Sequence, residues 1–163
     1  MHPVTSAAAS SAEPEVLRLR DVGFAAACAL LARFDLQLEP VPADTPIPGS
    51  YWGESEAGVI GNRVYARDDT PVHSLLHEAC HLIVLPPERR LAVHTDATDS
   101  VEEEDATCYL QIVLADELAG VGRDRLMTDM DAWGYSFRLG SARSWFEHDA
   151  AEAQTFLRTR GLL

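Results

Sequence analysis

Apolar positions along this chain change period several times, and each change marks an element. From Val22 to Phe34 (VGFAAACALLARF) the residues are Ala- and Leu-rich and free of Gly and Pro after Gly23, which predicts a helix. Leu36 to Val41 alternates, as a short strand does, before a Pro-rich turn at Pro42, Pro46 and Pro48. Tyr51-Trp52-Gly53 and Gly58-Val59-Ile60 read as short strands around the polar turn Glu54-Ser55-Glu56, and Asn62 to Arg67 alternates again. A helix follows, with Thr70 placed to cap it, Pro71 in its first turn, and apolar residues running to Leu85 before Pro86-Pro87. Beyond a polar loop, Val101 to about Leu118 predicts a second long helix. Asp124 to Trp133 and Asp149 to Arg158 predict two more, separated by an aromatic and basic stretch, Trp133 to Phe146. Helix, strands, then helices make an α+β chain. No internal repeat interrupts it, so residues 16–163 are expected to form one domain behind an Ala/Ser/Pro-rich, disordered lead-in over residues 1–15.

The first of the two long helices carries chemistry. His77-Glu78-Ala79-Cys80-His81 sets two histidines four residues apart, on one helix face and one turn apart, where both imidazoles can grip one Zn²⁺. Glu78 lies beside them, placed to take a proton from a water that the ion activates. A chance match to this pattern in a chain with six histidines is expected at a rate on the order of 2%. Its context is selective too. From Ser74 to Ile83 (SLLHEACHLI) the only formal charge is Glu78, as suits a helix buried in a core while presenting one face to a metal.

His73 continues the stripe of His77 and His81, but three residues so spaced cannot share an ion. The outer two Cα atoms are roughly 12 Å apart along the axis, whereas ligand atoms lie near 2 Å from zinc. His73 is therefore expected to cap the helix or to support a ligand.

A catalytic zinc takes three protein ligands and leaves one position open. The extended pattern HExxHxxGxxH would need Gly at 84 and His at 87; the chain has Val84 and Pro87. The third ligand must then come from the loop acids and histidine (His94, Asp96, Asp99) or from the acidic helix start Glu102-Glu103-Glu104-Asp105. Acidic residues also suit a helix N-terminus on electrostatic grounds alone.

From Val22 to Leu118 the chain resembles the glutamate zincins, and among them the compact IrrE/ImmA-like metallopeptidases. The resemblance rests on a backing helix, short strands, a strand just before the motif (NRVYAR-DDTPVHSLLHEACH), and a second helix opening with Glu-x-x-Ala. It implies a zincin-like fold in which a small twisted mixed sheet packs on the backing and active-site helices, with a helical C-terminal part. It implies Glu103 as third ligand, with Ala106 letting the helices approach and the Thr107 hydroxyl steadying a ligand histidine. Relatives usually carry Asp or Asn at the place of Thr107, so a register shifted by one, with Glu104 as ligand, stays open. Outside the resemblance, Tyr135 and His148 are candidates to stabilise charge in a transition state, and the surrounding rings equally suit a core.

The expected activity is zinc-dependent peptide-bond hydrolysis on a peptide or protein substrate. The alternative is a binding or regulatory module on the same scaffold without turnover. Composition narrows the partners. At 163 residues and a net charge of −13, the chain would be repelled by nucleic acid and by anionic membrane surfaces. Cys28, Cys80 and Cys108 have neither metal-knuckle spacing nor even number, and read as reduced thiols of a cytoplasmic protein. No apolar run reaches membrane-spanning length, and the first residues lack the regions of a secretory signal.

Overall fold

A computed structural model describes residues 13–50, 53–95 and 100–163. It is a mixed α+β structure. A short turn of helix, α1 (Leu19–Val22), leads through Gly23 into α2 (Phe24–Ala32). Strands β1 (Gln37–Pro40), β2 (Gly58–Ile60) and β3 (Arg63–Ala66) follow. Next come α3 (Val72–Val84), α4 (Pro87–Arg90), α5 (Val101–Ala115), α6 (Gly122–Trp133), α7 (Ala142–His148) and α8 (Ala151–Thr159). The sheet order is β1-β3-β2, with β1 parallel and β2 antiparallel to β3.

Apart from the strand expected at Tyr51-Trp52-Gly53, the elements expected from the sequence are present among the described residues, with four differences. The backing helix starts at Phe24, because Gly23 stands at φ +91° and separates it from α1. Thr70 does not cap α3: its hydroxyl accepts the Arg67 N–H at 2.9 Å, and Pro71 is the N-cap. Pro86-Pro87 follows the end of α3 at Val84 as expected, but Pro87 also opens a further short helix, α4, where a missing N–H costs nothing. The aromatic stretch contains α7, capped by Ser141 accepting from the Ser144 N–H. Tyr51 and Trp52, and residues 1–12 of the expected lead-in, lie outside the described residues. From Glu13 onward there are contacts: Glu13 pairs with Arg18 at 3.0 Å and accepts from the Ser55 hydroxyl at 3.2 Å.

The core lies between α3, α5 and the sheet. Leu75, Leu76, Leu82, Leu110 and Ile112 are fully buried in it, with Val59 and Val64 from the strands. α3 packs chiefly on α5. Of its thirteen residues Glu78 alone is not buried. A helix buried at every other position cannot gain from charge there, which is why the run Ser74 to Ile83 carries none besides Glu78.

One close approach fixes the segment before β2. A Cβ on Gly58 would stand 2.0 Å from the Pro48 carbonyl oxygen, and one on Gly49 2.5 Å from that of Val59. Only glycines let the Pro-rich loop lie against this strand. The same segment is latched to α3, where the Ala57 N–H donates to the Ser74 hydroxyl at 2.9 Å.

Candidate metal centre

The two motif histidines point their Nε2 atoms at one another across 2.9 Å. A carboxylate completes the triangle, and it belongs to Glu104. Its oxygens lie 3.3 Å from His77 Nε2 and 3.2 Å from His81 Nε2. Glu103, expected to face the histidines, turns to α4 instead and pairs with Arg89 at 2.8 Å. The reason is the register of α5. Its stripe Glu104, Cys108, Gln111 faces α3, while Glu103, Thr107, Leu110 and Leu114 form a second buried stripe. A helix buried on two faces has no single apolar side to fix its rotation.

Thr107 is likewise spent elsewhere, donating its hydroxyl to the Glu103 carbonyl one turn back at 2.8 Å. The support expected of it comes from Gln111. Gln111 donates through Nε2 to the His73 carbonyl at 3.0 Å, which turns its Oε1 toward His77. Oε1 accepts from His77 Nδ1 at 2.8 Å. With the proton held on Nδ1, the Nε2 lone pair is left free to face the centre.

Behind Gln111 sit Tyr135 and His73. The Tyr135 hydroxyl lies 3.4 Å from Gln111 Nε2 and 3.2 Å from His73 Nδ1. Tyr135 therefore holds Gln111 and His73 through its hydroxyl, and its ring packs edge-on against that of His77 with centroids 5.6 Å apart. Burial holds its hydroxyl firmly protonated. His73 is a support and not a member of the triangle. It is fully buried, its Nε2 has no hydrogen-bond partner, and burial, with His77 and Arg18 nearby, lowers its pKa to about 3. His148 is not at the centre at all: it ends α7 with an exposed ring beside Glu147. His94 is exposed against Thr95, and Asp96 and Asp99 lie outside the described residues. Glu102 is exposed, and Asp105 lies on a cavity of about 500 Å³ with Phe137 and Trp145.

The electrostatics are those of a site built around positive charge. Burial raises the cost of the ionised Glu104, but His77 and His81 overcome it and hold the carboxyl well below its usual range. Burial likewise opposes the imidazolium of His77, and the surrounding groups, Glu104 among them, reverse that and raise its pKa. Two imidazole nitrogens and a carboxylate, all buried, need either a proton or a metal ion among them. His77, Glu78 and His81 also bring ligand atoms within 4.8 Å of one another, as do His77, Glu104 and Cys108.

Sequence reasoning missed two residues. Gln111 left a signal: it is the one polar residue in the run Tyr109 to Leu114, seven residues after Glu104 and so on its face. Glu56 left none, because a charged turn reads as solvent-facing. In the fold it is largely buried, with Oε2 accepting the Trp133 indole N–H at 2.7 Å. Burial, opposed by that bond and reinforced by Glu78, raises its pKa to about 7.

A scan against protein-family models and searches of curated proteins and of solved structures find no match to this chain.

Proposed function

We propose that this protein is a zinc-dependent hydrolase of peptide bonds, with His77, His81 and Glu104 holding the ion and Glu78 as general base. One observation carries the reading. Ligand atoms at tetrahedral positions about 2.05 Å from zinc stand about 3.3 Å apart; here the two Nε2 atoms are 2.9 Å apart, and the Glu104 carboxylate sets one oxygen against each, Oε2 at 3.3 Å from His77 and Oε1 at 3.2 Å from His81. Zinc bound there would supply Lewis acidity, polarising a water and the scissile carbonyl. Glu78, the only residue of α3 not buried, takes the proton. Gln111 keeps the His77 lone pair directed inward, and Tyr135 and His73 hold Gln111.

The glutamate-zincin resemblance supports the same reading, with the third ligand at Glu104, the alternative register, one residue later than the Glu103 that the resemblance implies. The substrate class is a peptide or protein. A charge of −13 argues against nucleic acid, and among the described residues no helix is long and apolar enough to cross a membrane. Three unpaired cysteines fit a reducing, cytoplasmic setting.

A second reading, a metal-binding scaffold without turnover, has Cys108 on its side. Its thiol lies close enough to His77 and Glu104 to close the coordination sphere. Digestion of a peptide library by zinc-loaded protein separates the two readings. The hydrolase cleaves, loses cleavage to a chelator, and in Glu78→Gln keeps zinc while losing turnover. Unchanged turnover in Glu78→Gln would refute the mechanism, and zinc binding with no cleavage of any peptide would favour the scaffold.

A further inference from the structure

The side of α3 that carries Glu78 holds a second carboxylate. Ser74 and Glu78 are four residues apart and share a face, and Ser74 is the residue that latches the Ala57 backbone. Glu56 is thus pinned within about a helical turn of the proposed base, and Glu78 and His77 are among the charges that act on it. Its position is set at both ends: the backbone by Ser74, and Oε2 by the Trp133 indole, whose ring packs 5.0 Å from that of His73.

Among the described residues no cation pairs with this carboxylate. Among the described residues Trp133 is its one side-chain donor. Arg18 is near but committed, pairing with Glu13 at 3.0 Å, donating to the Asp69 carbonyl at 2.8 Å and lying over the Trp133 ring at 5.7 Å. A histidine that ligates an ion is neutral, so His77 would not supply the charge either. A rigid, largely buried carboxylate without a counter-ion, beside a peptide-cleaving centre, is matched by a cation that the substrate brings.

Geometry says which cation. In an amino-terminal residue the nitrogen stands about 2.5 Å from the carbonyl carbon, two bonds along the chain. A carboxylate that holds that nitrogen must lie close to the groups that attack the carbonyl, and Glu56 is latched one residue from the Ser74 contact on the turn of α3 before Glu78, whose charge acts on it. We propose that Glu56 anchors a free α-ammonium group, so that the substrates are peptides cleaved after their first residue. This rests on the hydrolase reading above and adds a specificity that reading does not require.

The test is calorimetric binding of leucine hydroxamate and N-acetyl-leucine hydroxamate to the zinc-loaded full chain. The hydroxamate reports the metal in both, and only the first carries the amine. Wild type is expected to bind the free amine at least about tenfold more tightly. Glu56→Gln, which can still accept from Trp133, should bring the ratio near one while leaving the acetylated ligand's affinity in place. Equal affinities in wild type, or a preference that survives in Glu56→Gln, would overturn the anchor and leave the hydrolase standing. Failure of both ligands to bind zinc-loaded protein would overturn both. Should Glu56→Gln not fold, Trp133→Phe replaces it: the preference should fall severalfold, and an unchanged preference counts against the proposal.

Discussion

His77 donates its Nδ1 proton to Oε1 of Gln111 at 2.8 Å, and this one bond decides which nitrogen of the ring is left to bind. Removing the acceptor frees the ring to take the other tautomer and to rotate. Gln111→Leu is expected to weaken zinc binding about 10- to 100-fold. Gln111→Glu, which keeps an acceptor at the same reach, should bind at least as well as wild type. Competition against a chromophoric chelator measures both. Equal affinity of Gln111→Leu and wild type would remove Gln111 from the centre.

Glu104 and Glu103 are adjacent and both buried, yet their substitutions should differ in kind. Glu104→Ala deletes the carboxylate that lies within 3.3 Å of both imidazoles, and zinc should fall from about one per chain to trace levels. Glu103→Ala loses only the pair with a half-exposed Arg89, worth about 1 kcal/mol or less, and should keep its zinc. Elemental analysis after dialysis, alongside thermal melts, reads the two effects separately. The opposite pattern would return the ligand role to Glu103.

These two neighbours also show what a sequence can disclose. His77, Glu78 and His81 were legible because helical geometry alone puts them together, at a spacing one ion demands. Element order was legible because period-2 and period-3.6 stretches alternate along the chain. The rotation of α5 was not, since Thr107, Leu110 and Leu114 are as buried as Cys108 and Gln111. Either stripe satisfies an apolar-face rule, and only packing against α3 chooses between them. Glu56 was out of reach for a different reason. Its burial depends on a loop that two glycines let settle on β2, and on a tryptophan 77 residues away.

Glu56 should leave a signature in the pH dependence of the metal-free protein. Its carboxyl titrates near 4.5 when unfolded and about 7 when folded. Between those values the folded state keeps a proton that the unfolded state releases. The contribution of Glu56 to stability is therefore undiminished below pH 4.5, falls as pH rises, and is fully lost above pH 7, a cost on the order of 3 kcal/mol. Glu56→Gln should erase that slope and melt higher than wild type at pH 8, with little difference at pH 4.5. Parallel slopes across this window in urea titrations would show that the carboxyl is not desolvated.

His73 predicts a slope of the opposite sign at lower pH. Its folded pKa is about 3, against 6.5 for a free histidine, because burial and the charges of His77 and Arg18 oppose its protonation. As pH falls through 6.5 the unfolded chain takes up a proton that the folded chain refuses. Stability is then lost at up to about 1.4 kcal/mol per pH unit until about pH 3. His73→Phe, which keeps a ring against Trp133 and Tyr135, should lose stability less steeply between pH 6 and 4. An unchanged slope would mean that His73 opens to solvent before it titrates.

Gly58 tests whether the metal triangle and the amine anchor are separable. A methyl group there would stand 2.0 Å from the Pro48 carbonyl oxygen and 2.5 Å from the Gly49 carbonyl carbon, so backbone must move. Gly58→Ala should cost about 2 kcal/mol or more in stability, as overpacking a close backbone approach does. The displaced segment is the one that holds Glu56, whereas His77, His81 and Glu104 stand on α3 and α5. Zinc stoichiometry should consequently survive in the folded fraction, while the preference for the amine-bearing hydroxamate falls. If zinc and preference were lost together at a temperature where the variant is folded, the segment before β2 would be supporting the metal ligands as well.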